Sequence, residues 1–315
     1  MTAALDVLCL GEALVDLLPD RRGALRDCER FEVHSGGAPA NVAVGLARLG
    51  LRTGFAGVVG DDEFGRLLER KLAGEGIALH LRFTTAARTG LWFVALDERG
   101  ERTFFAPTGA ESADKLLESS DVARLPPARF LHCGSSAHIR PVAQRALVEA
   151  IAWAQRQDVR VSFDPNVRAH LWPDLRDLAA LCEAVLPRCH FVKLSEEEIE
   201  PCLGVRATPD EALRLLEDRG VAIGCITLGE RGAIARSGGE TVRVAAPRVD
   251  VVDTTGAGDG FVAGVLAALA APGPARLPDR AALERALQLG CAIGSRVCTR
   301  LGAVQGLPRR EELQR

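Results

Sequence analysis

Between residues 140 and 229, segments of helical period alternate with short β-rich runs, and this rhythm limits the fold more than any other feature of the 315 residues. RPVAQRALVEAIAWAQRQ (140–157) repeats apolar residues at helical spacing, and VRVSFD (159–164) alternates. DLRDLAALCEAVLP (174–187) is helical again, and HFVKL (190–194) reads as a strand. TPDEALRLLEDRG (208–220) opens with Thr208, Pro209 and Glu211 as cap, first-turn proline and capping-box acid, and it closes on Gly220. AIGCITLG (222–229) follows as another strand. Strand, helix and strand at this spacing predict right-handed βαβ units: an α/β chain whose mostly parallel sheet is covered on both faces.

Two regions break the rhythm. Residues 88–105, RTGLWFVALDERGERTFF, predict two strands around a turn at Glu98–Arg99–Gly100 with no helix between them. Residues 12–17 and 30–35 also read as extended, so the three pieces together predict a small β lid beside the main sheet. The lid is not expected to be a separate domain, and residues 1–315 are expected to form one. The Pro/Gly-rich stretch 271–279 reads as a loop between two C-terminal helices.

Composition narrows the partners. A formal net charge of −3 gives no global basic field, which argues against nucleic acid. The opening stretch meets acids at Asp6 and Glu12, unlike a secretory signal, and no stretch approaches a membrane span. Nine cysteines without a CxxC pair read as reduced thiols of a cytoplasmic protein, with no disulfide framework or zinc site. Only Lys71, Lys115 and Lys193 are lysines, which reads as a compositional bias without functional content.

The motif DTTGAGDGF (253–261) runs into FVAGVLAALA, which reads as a buried helix. Its glycines therefore stand where a loop feeds a helix N-terminus. Unpartnered first-turn amides and the positive end of the helix dipole suit an anion there, and Gly256, Ala257 and Gly258 leave room for a phosphate to approach. A carboxylate beside a phosphate is repelled by it, so Asp259 needs a reason. It is either a general base that takes the proton of an attacking hydroxyl or a simple helix cap. A dinucleotide GxGxxG would need glycine at Phe261, and the Gly-Lys pair of a P-loop occurs nowhere. A second cluster, SGGAPANVAVGLARLG (35–50), also sets small residues before a helix. Gly36 and Gly37 could let a ligand lie against backbone and Asn41 could bond a polar substrate; the other reading is a helix cap with close helix–sheet packing.

In these motifs, and in their order over nearly the full chain, the sequence resembles the ribokinase-like, PfkB-type carbohydrate kinases, and within them the fructokinases. GEALVDLLP (11–19), VVGDDEFG (58–65), SFDPNVR (162–168), KLSEEE (193–198) and TLGERGA (227–233) are similar to further family segments. The resemblance implies a ribokinase-like three-layer sandwich with a small β-strand lid. It also implies transfer of the γ-phosphoryl group of ATP to a sugar hydroxyl, with D-fructose as the expected acceptor. Asp259 would be the base and Gly256, Ala257 and Gly258 the anion hole. Asp16, Gly36, Gly37, Asn41 and Arg168 would bind the sugar, and Asp164 and Asn166 would stand behind the metal water. Glu198 would reach Mg²⁺ through water. Lys193, Ser195, Thr227, Gly229, Gly232, Cys291 and Gly294 would border ATP, and Asp253, Thr255 and Gly302 resemble a monovalent-cation site, for K⁺. The commoner family pattern has asparagine where this chain has Ser195, and the fructokinase branch often carries serine. Against fructose, FFAPTGAESADKLL lacks the arginine and aromatic residues expected after the lid strand.

The alternatives within the family are a 2-keto-3-deoxygluconate kinase, another sugar or sugar-phosphate kinase, or a nucleoside kinase. Outside it stand a non-catalytic sugar or nucleotide sensor and a nicotinamide-dependent oxidoreductase, which Phe261 disfavours. The expected partners are small molecules, with neither nucleic acid nor membrane, and a homodimer through the exposed lid edge is a candidate assembly.

Overall fold

The computed structural model describes residues 4–21, 23–96, 102–106, 111–270 and 277–313. In chain order the elements are β1 (Leu5–Leu10), β2 (Leu14–Pro19), β3 (Phe31–Gly36), α1 (Ala38–Arg48), β4 (Thr53–Gly60), α2 (Glu63–Gly74), β5 (Ala78–Thr84), β6 (Leu91–Leu96) and β7 (Arg102–Phe105). Then come α3 (Ser119–Val122), β8 (Ala128–Cys133), α4 (Pro141–Arg156), β9 (Arg160–Phe163), α5 (Leu175–Val185), β10 (Phe191–Ser195), α6 (Ile199–Leu203) and α7 (Pro209–Asp218). The chain finishes with β11 (Ile223–Thr227), β12 (Ala233–Ser237), β13 (Glu240–Val244), α8 (Ala257–Leu269) and α9 (Arg280–Val297).

Nine strands form the main sheet in the order β13-β12-β11-β10-β9-β8-β1-β4-β5. Pairing is parallel from β5 through to β11, and at the other edge β12 runs against both its neighbours, β11 and β13. Alternate strand residues feed two cores. Leu8, Leu10, Val58, Leu131, Val192 and Ile226 pack with α4, α5 and α7, whereas Val7, Cys9, Phe55, Phe130, Phe191 and Cys225 pack with α1, α2, α8 and α9. These are the three layers that the strand–helix rhythm implies. The local signals also hold: Thr208 and Glu211 close a reciprocal capping box on α7.

β1 lies between β4 and β8, so the chain winds outward in one direction through β4 and β5 and in the other through β8 to β13. The carboxyl edge of β1 is therefore the point where strand order reverses, the place where open α/β sheets take their ligands. Immediately after β1 the chain leaves the main sheet to build a second one, ordered β3-β2-β6-β7. β2 pairs antiparallel with β3 and parallel with β6, and Asp16 stands opposite both His34 and Trp92. β6 and β7 are the expected hairpin; its turn at 98–100 lies outside the described residues, as does most of the loop 271–279. The strands expected at 12–17 and 30–35 start later, at Leu14 and Phe31. Glu12 is kept out of β2 because its carboxylate accepts the N–H of Ala38 at the head of α1 (3.3 Å).

Candidate active site

The motif at 253–261 forms the first turn of α8. Gly256 is its N-cap in the left-handed region (φ +78°), and a β-carbon there would stand 2.4 Å from the Ala303 side chain, so only glycine fits. Ala257 N–H turns back to the Thr254 carbonyl (3.2 Å), whereas among the described residues the N–H groups of Gly258 and Asp259 meet no protein acceptor. Asp259 does not cap the helix. Its side chain points away from the first-turn amides and accepts a 2.8 Å hydrogen bond from Asn41 Nδ2 on α1, with both groups buried. The second small-residue cluster thus meets the first. Burial pushes the Asp259 carboxyl up; the Asn41 bond and the positive charges of Arg168 and Lys193 oppose that shift, and Glu198 adds to it.

Beside this turn sits a buried ion cluster. The parallel register of β9 and β10 sets Val192 opposite Phe163, which places the next residues, Lys193 and Asp164, side by side at the carboxyl edge. Lys193 Nζ lies 3.1 Å from Asp164 Oδ2 and 3.7 Å from Glu198 Oε2. The same ammonium is 3.3 Å from where a β-carbon on Gly258 would be. Lys193 is thus buried against the glycine turn and does not face solvent. Burial lowers its pKa, but Asp164, Glu198 and Asp259 outweigh that and hold it raised. Burial pushes Asp164 up to about 6; Lys193 opposes the shift, while Glu198 and Asp259 reinforce it. Burial acts on Glu198 in the same way, yet Lys193 and the N–H groups of Ser195 (2.7 Å) and Val167 (2.6 Å) win and keep it ionised, below the usual range. Glu198, the last acid of KLSEEE, is buried. Beneath them His132 bonds Ser162 Oγ (2.9 Å), and burial, helped by Lys193, pulls it down to about 3.

Two parts of the sequence far from residue 259 thus converge on Asp259: Asn41, and the 164–198 span with its Lys193–Asp164–Glu198 cluster and Arg168, which acts through its charge. On the small sheet, Asp16 Oδ2 lies 2.1 Å from the place a β-carbon on Gly36 would occupy. Gly37 has φ +101° and its missing side chain would strike the Glu12 carbonyl at 2.3 Å. Asn166 holds a positive φ of 44°, with its N–H on Asp164 Oδ1 (3.1 Å).

Among the described residues, the bonds of the other expected residues run elsewhere than to that cluster. Thr227 Oγ1 donates to the Leu194 carbonyl (3.4 Å), Gly229 has φ +60°, and a β-carbon on Gly232 would stand 2.0 Å from the Val244 carbonyl, so the position is bare. Cys291 is buried, which pushes its thiol up to about 11, and a β-carbon on Gly294 would stand 2.9 Å from the Ala257 carbonyl in the first turn of α8. Buried Asp253 accepts from Thr255 N (2.6 Å) and Gly302 N (2.7 Å), and among the described residues Thr255 Oγ1 meets no partner. A further buried group, Glu12, Asp114, Lys115 and His138, is given no site role by the sequence reading.

A family model described as pfkB family carbohydrate kinase matches residues 4–310. The chain belongs to that family, whose members are ATP-dependent sugar phosphotransferases, and its layers match ribokinase-like structures. It is 41% identical to a fructokinase of Klebsiella pneumoniae over 308 residues, 97% of each chain. It superposes with a TM-score of 0.88 and 33% identity on a double-mutant fructokinase of Vibrio cholerae O395 solved with fructose, ADP and a potassium ion, covering 99% of this chain and 98% of that one. An aminoimidazole riboside kinase from Salmonella enterica, solved with aminoimidazole riboside and an ATP analog, is similar at a TM-score of 0.84 and 30% identity, covering 98% of each chain.

Proposed function

We propose that this chain is a fructokinase, transferring the γ-phosphoryl group of ATP to a hydroxyl of D-fructose. The observation that carries the mechanism is the placing of Asp259: a buried carboxylate, one residue beyond the bare glycine turn, oriented by Asn41. Such a group can take the proton of an incoming hydroxyl while the free amides of Gly258 and Asp259 and the dipole of α8 stabilise the moving phosphoryl charge. Lys193, pressed against Gly258, brings a fixed positive charge to the same place. Asp16, Gly36, Gly37 and Arg168 hold the sugar, and the small sheet closes over it to keep out water, which competes as acceptor. Thr227, Gly229, Gly232, Ser195, Cys291 and Gly294 border the nucleotide.

The donor set fits magnesium held through water and phosphate oxygens. Among the described residues no three His, Cys, Asp or Glu side chains are arranged to hold a metal by themselves. Glu198 and Asp164 would carry its water shell. When bound, the ion supplies charge neutralisation across the phosphates. Buried Asp253 and the unpartnered Thr255 hydroxyl, with the loop at Gly302, are the candidate elements for K⁺. We place the pairing of two copies on the outer face of the small sheet, where Val33 and Phe105 are exposed.

Fructose is favoured over a nucleoside because full-length identity to the Klebsiella pneumoniae fructokinase is 41%, against 30% to the aminoimidazole riboside kinase. ATP consumption with magnesium, measured over fructose, ribose, 2-keto-3-deoxygluconate, hexose phosphates and nucleosides, should be highest with fructose. Turnover of a nucleoside in preference to every sugar would replace the acceptor, and no turnover at all would leave a sensor.

A further inference from the structure

Asp16 shares one face of the small sheet with His34, its partner across the antiparallel pair of β2 and β3. His34 is buried, and both of its ring nitrogens are engaged. Nε2 faces Glu32 Oε2 at 3.0 Å, and a carboxylate only accepts, so Nε2 carries the proton. Nδ1 then accepts from the side-chain amide of Gln305, in the loop that follows α9. One neutral tautomer satisfies both bonds and leaves no donor over for a sugar. His34 is therefore not a contact of the acceptor; it acts through the loop it holds.

That loop backs the phosphate turn. Its Gly302 has φ +84°, and a β-carbon there would stand 3.1 Å from His34 Nδ1 and 2.7 Å from Gln305 Oε1, so ring and amide close directly over the loop backbone. Gly302 N–H donates to Asp253 Oδ2 (2.7 Å), whose other oxygen accepts the Thr255 N–H (2.6 Å). The next residue, Ala303, is the one a β-carbon on Gly256 would strike at 2.4 Å, at the N-cap of α8. Farther along, Arg48 of α1 donates to the carbonyls of Val304 (2.6 Å) and Leu307 (2.9 Å), and α1 also bears Asn41, the partner of Asp259. The loop is thus tied to α1 through Arg48 and to the small sheet through His34.

In-line transfer needs the acceptor hydroxyl and the phosphorus about 3–3.5 Å apart with the attack aligned, and a displacement of about 1 Å costs about a hundredfold. In the proposed reaction the sugar is held from β2 and β3 and the phosphoryl group from the head of α8, so the two must be registered on one another. We infer that His34, through Gln305, is a positioning residue that registers the strand of Asp16 against the anion-binding turn. This rests on the sugar-kinase reading above and deepens it, whichever sugar is the acceptor.

The test measures kcat, KM for the best sugar and KM for ATP in the wild type, His34→Ala, His34→Asn, Gln305→Ala and the double variant His34→Ala/Gln305→Ala. Saturating potassium chloride keeps the candidate cation elements of the loop equally occupied throughout. His34→Ala should lose about tenfold in kcat with KM for ATP within about twofold of native. Gln305→Ala should show a comparable loss, and the double variant no more than the larger single loss, because both remove one bond. Asparagine carries an acceptor oxygen at the place of Nδ1, so His34→Asn should recover most of kcat. A folded His34→Ala with native kcat overturns the inference, as do single losses that multiply in the double variant or a His34→Asn no better than alanine. Gln305 is exposed, so if His34→Ala fails to fold, native kcat in Gln305→Ala overturns it in the same way. Inactivity of the wild type on every sugar removes the kinase reading and this inference with it; native kinetics in the variants of an active wild type remove this inference alone.

Discussion

At Asp259 burial raises the carboxyl pKa, and the Asn41 hydrogen bond and neighbouring cations only partly offset it. Two consequences follow from that sign. As a base, Asp259 must be ionised, so kcat/KM should fall as pH drops through a value above the ordinary aspartate range of about 3.9. A pH–rate profile whose acidic limb lies at or below that range would contradict the assignment. As a contributor to folding, a carboxyl whose pKa is raised in the native state adds stability below that pKa and loses it as pH rises through it. Asp259 therefore weakens the fold at neutral pH. Asp259→Asn should melt no lower than the wild type while losing about a hundredfold or more in kcat; thermal denaturation and a coupled ADP assay check both halves, and near-native turnover would remove the base. Asp259 is legible in the sequence because an acid directly after three small residues has few explanations. Lys193 is not: its burial depends on the register of β9 against β10, which no local pattern encodes. The scarcity of lysine reads as bias, yet two of the three, Lys115 and Lys193, are buried in ion clusters.

Among the elements, α8 does most of the positioning. Its first turn carries the anion-binding amides, and its later glycine serves contact: a β-carbon on Gly264 would meet the Gly290 backbone of α9 at 2.8 Å. Gly45 of α1 likewise lets Ala263 approach, at 2.7 Å from its absent β-carbon, and this close packing brings Asn41 to Asp259. Gly256→Ala would force an alanine to φ +78° against Ala303, so we expect a loss of about 1–3 kcal/mol, read by urea unfolding, together with a raised KM for ATP. Unchanged stability and KM would show that the turn relaxes freely. Helices α4, α5 and α7 are legible from period and caps. The start of β2 is read two residues early, because Glu12 is committed to the head of α1 and apolar pattern alone does not reveal that.

Over the whole molecule, the site exists because strand order reverses at β1 and the chain leaves there to build the second sheet. One edge then gathers the ends of β1, β9 and β10, the head of α8 and the strand bearing Asp16. The three-layer class is legible from the strand–helix rhythm, but the convergence is not, since residues 41, 164, 193 and 259 meet only after the sheet has formed. The sharpest consequence of this convergence is geometric and appears with both substrates present. A crystal structure with fructose and a non-hydrolysable ATP analogue should show the terminal phosphorus at the amides of Gly258 and Asp259, with a sugar hydroxyl within hydrogen-bond reach of the Asp259 carboxylate. A terminal phosphate bound away from that turn, or a carboxylate directed to solvent with no hydroxyl beside it, would contradict the account.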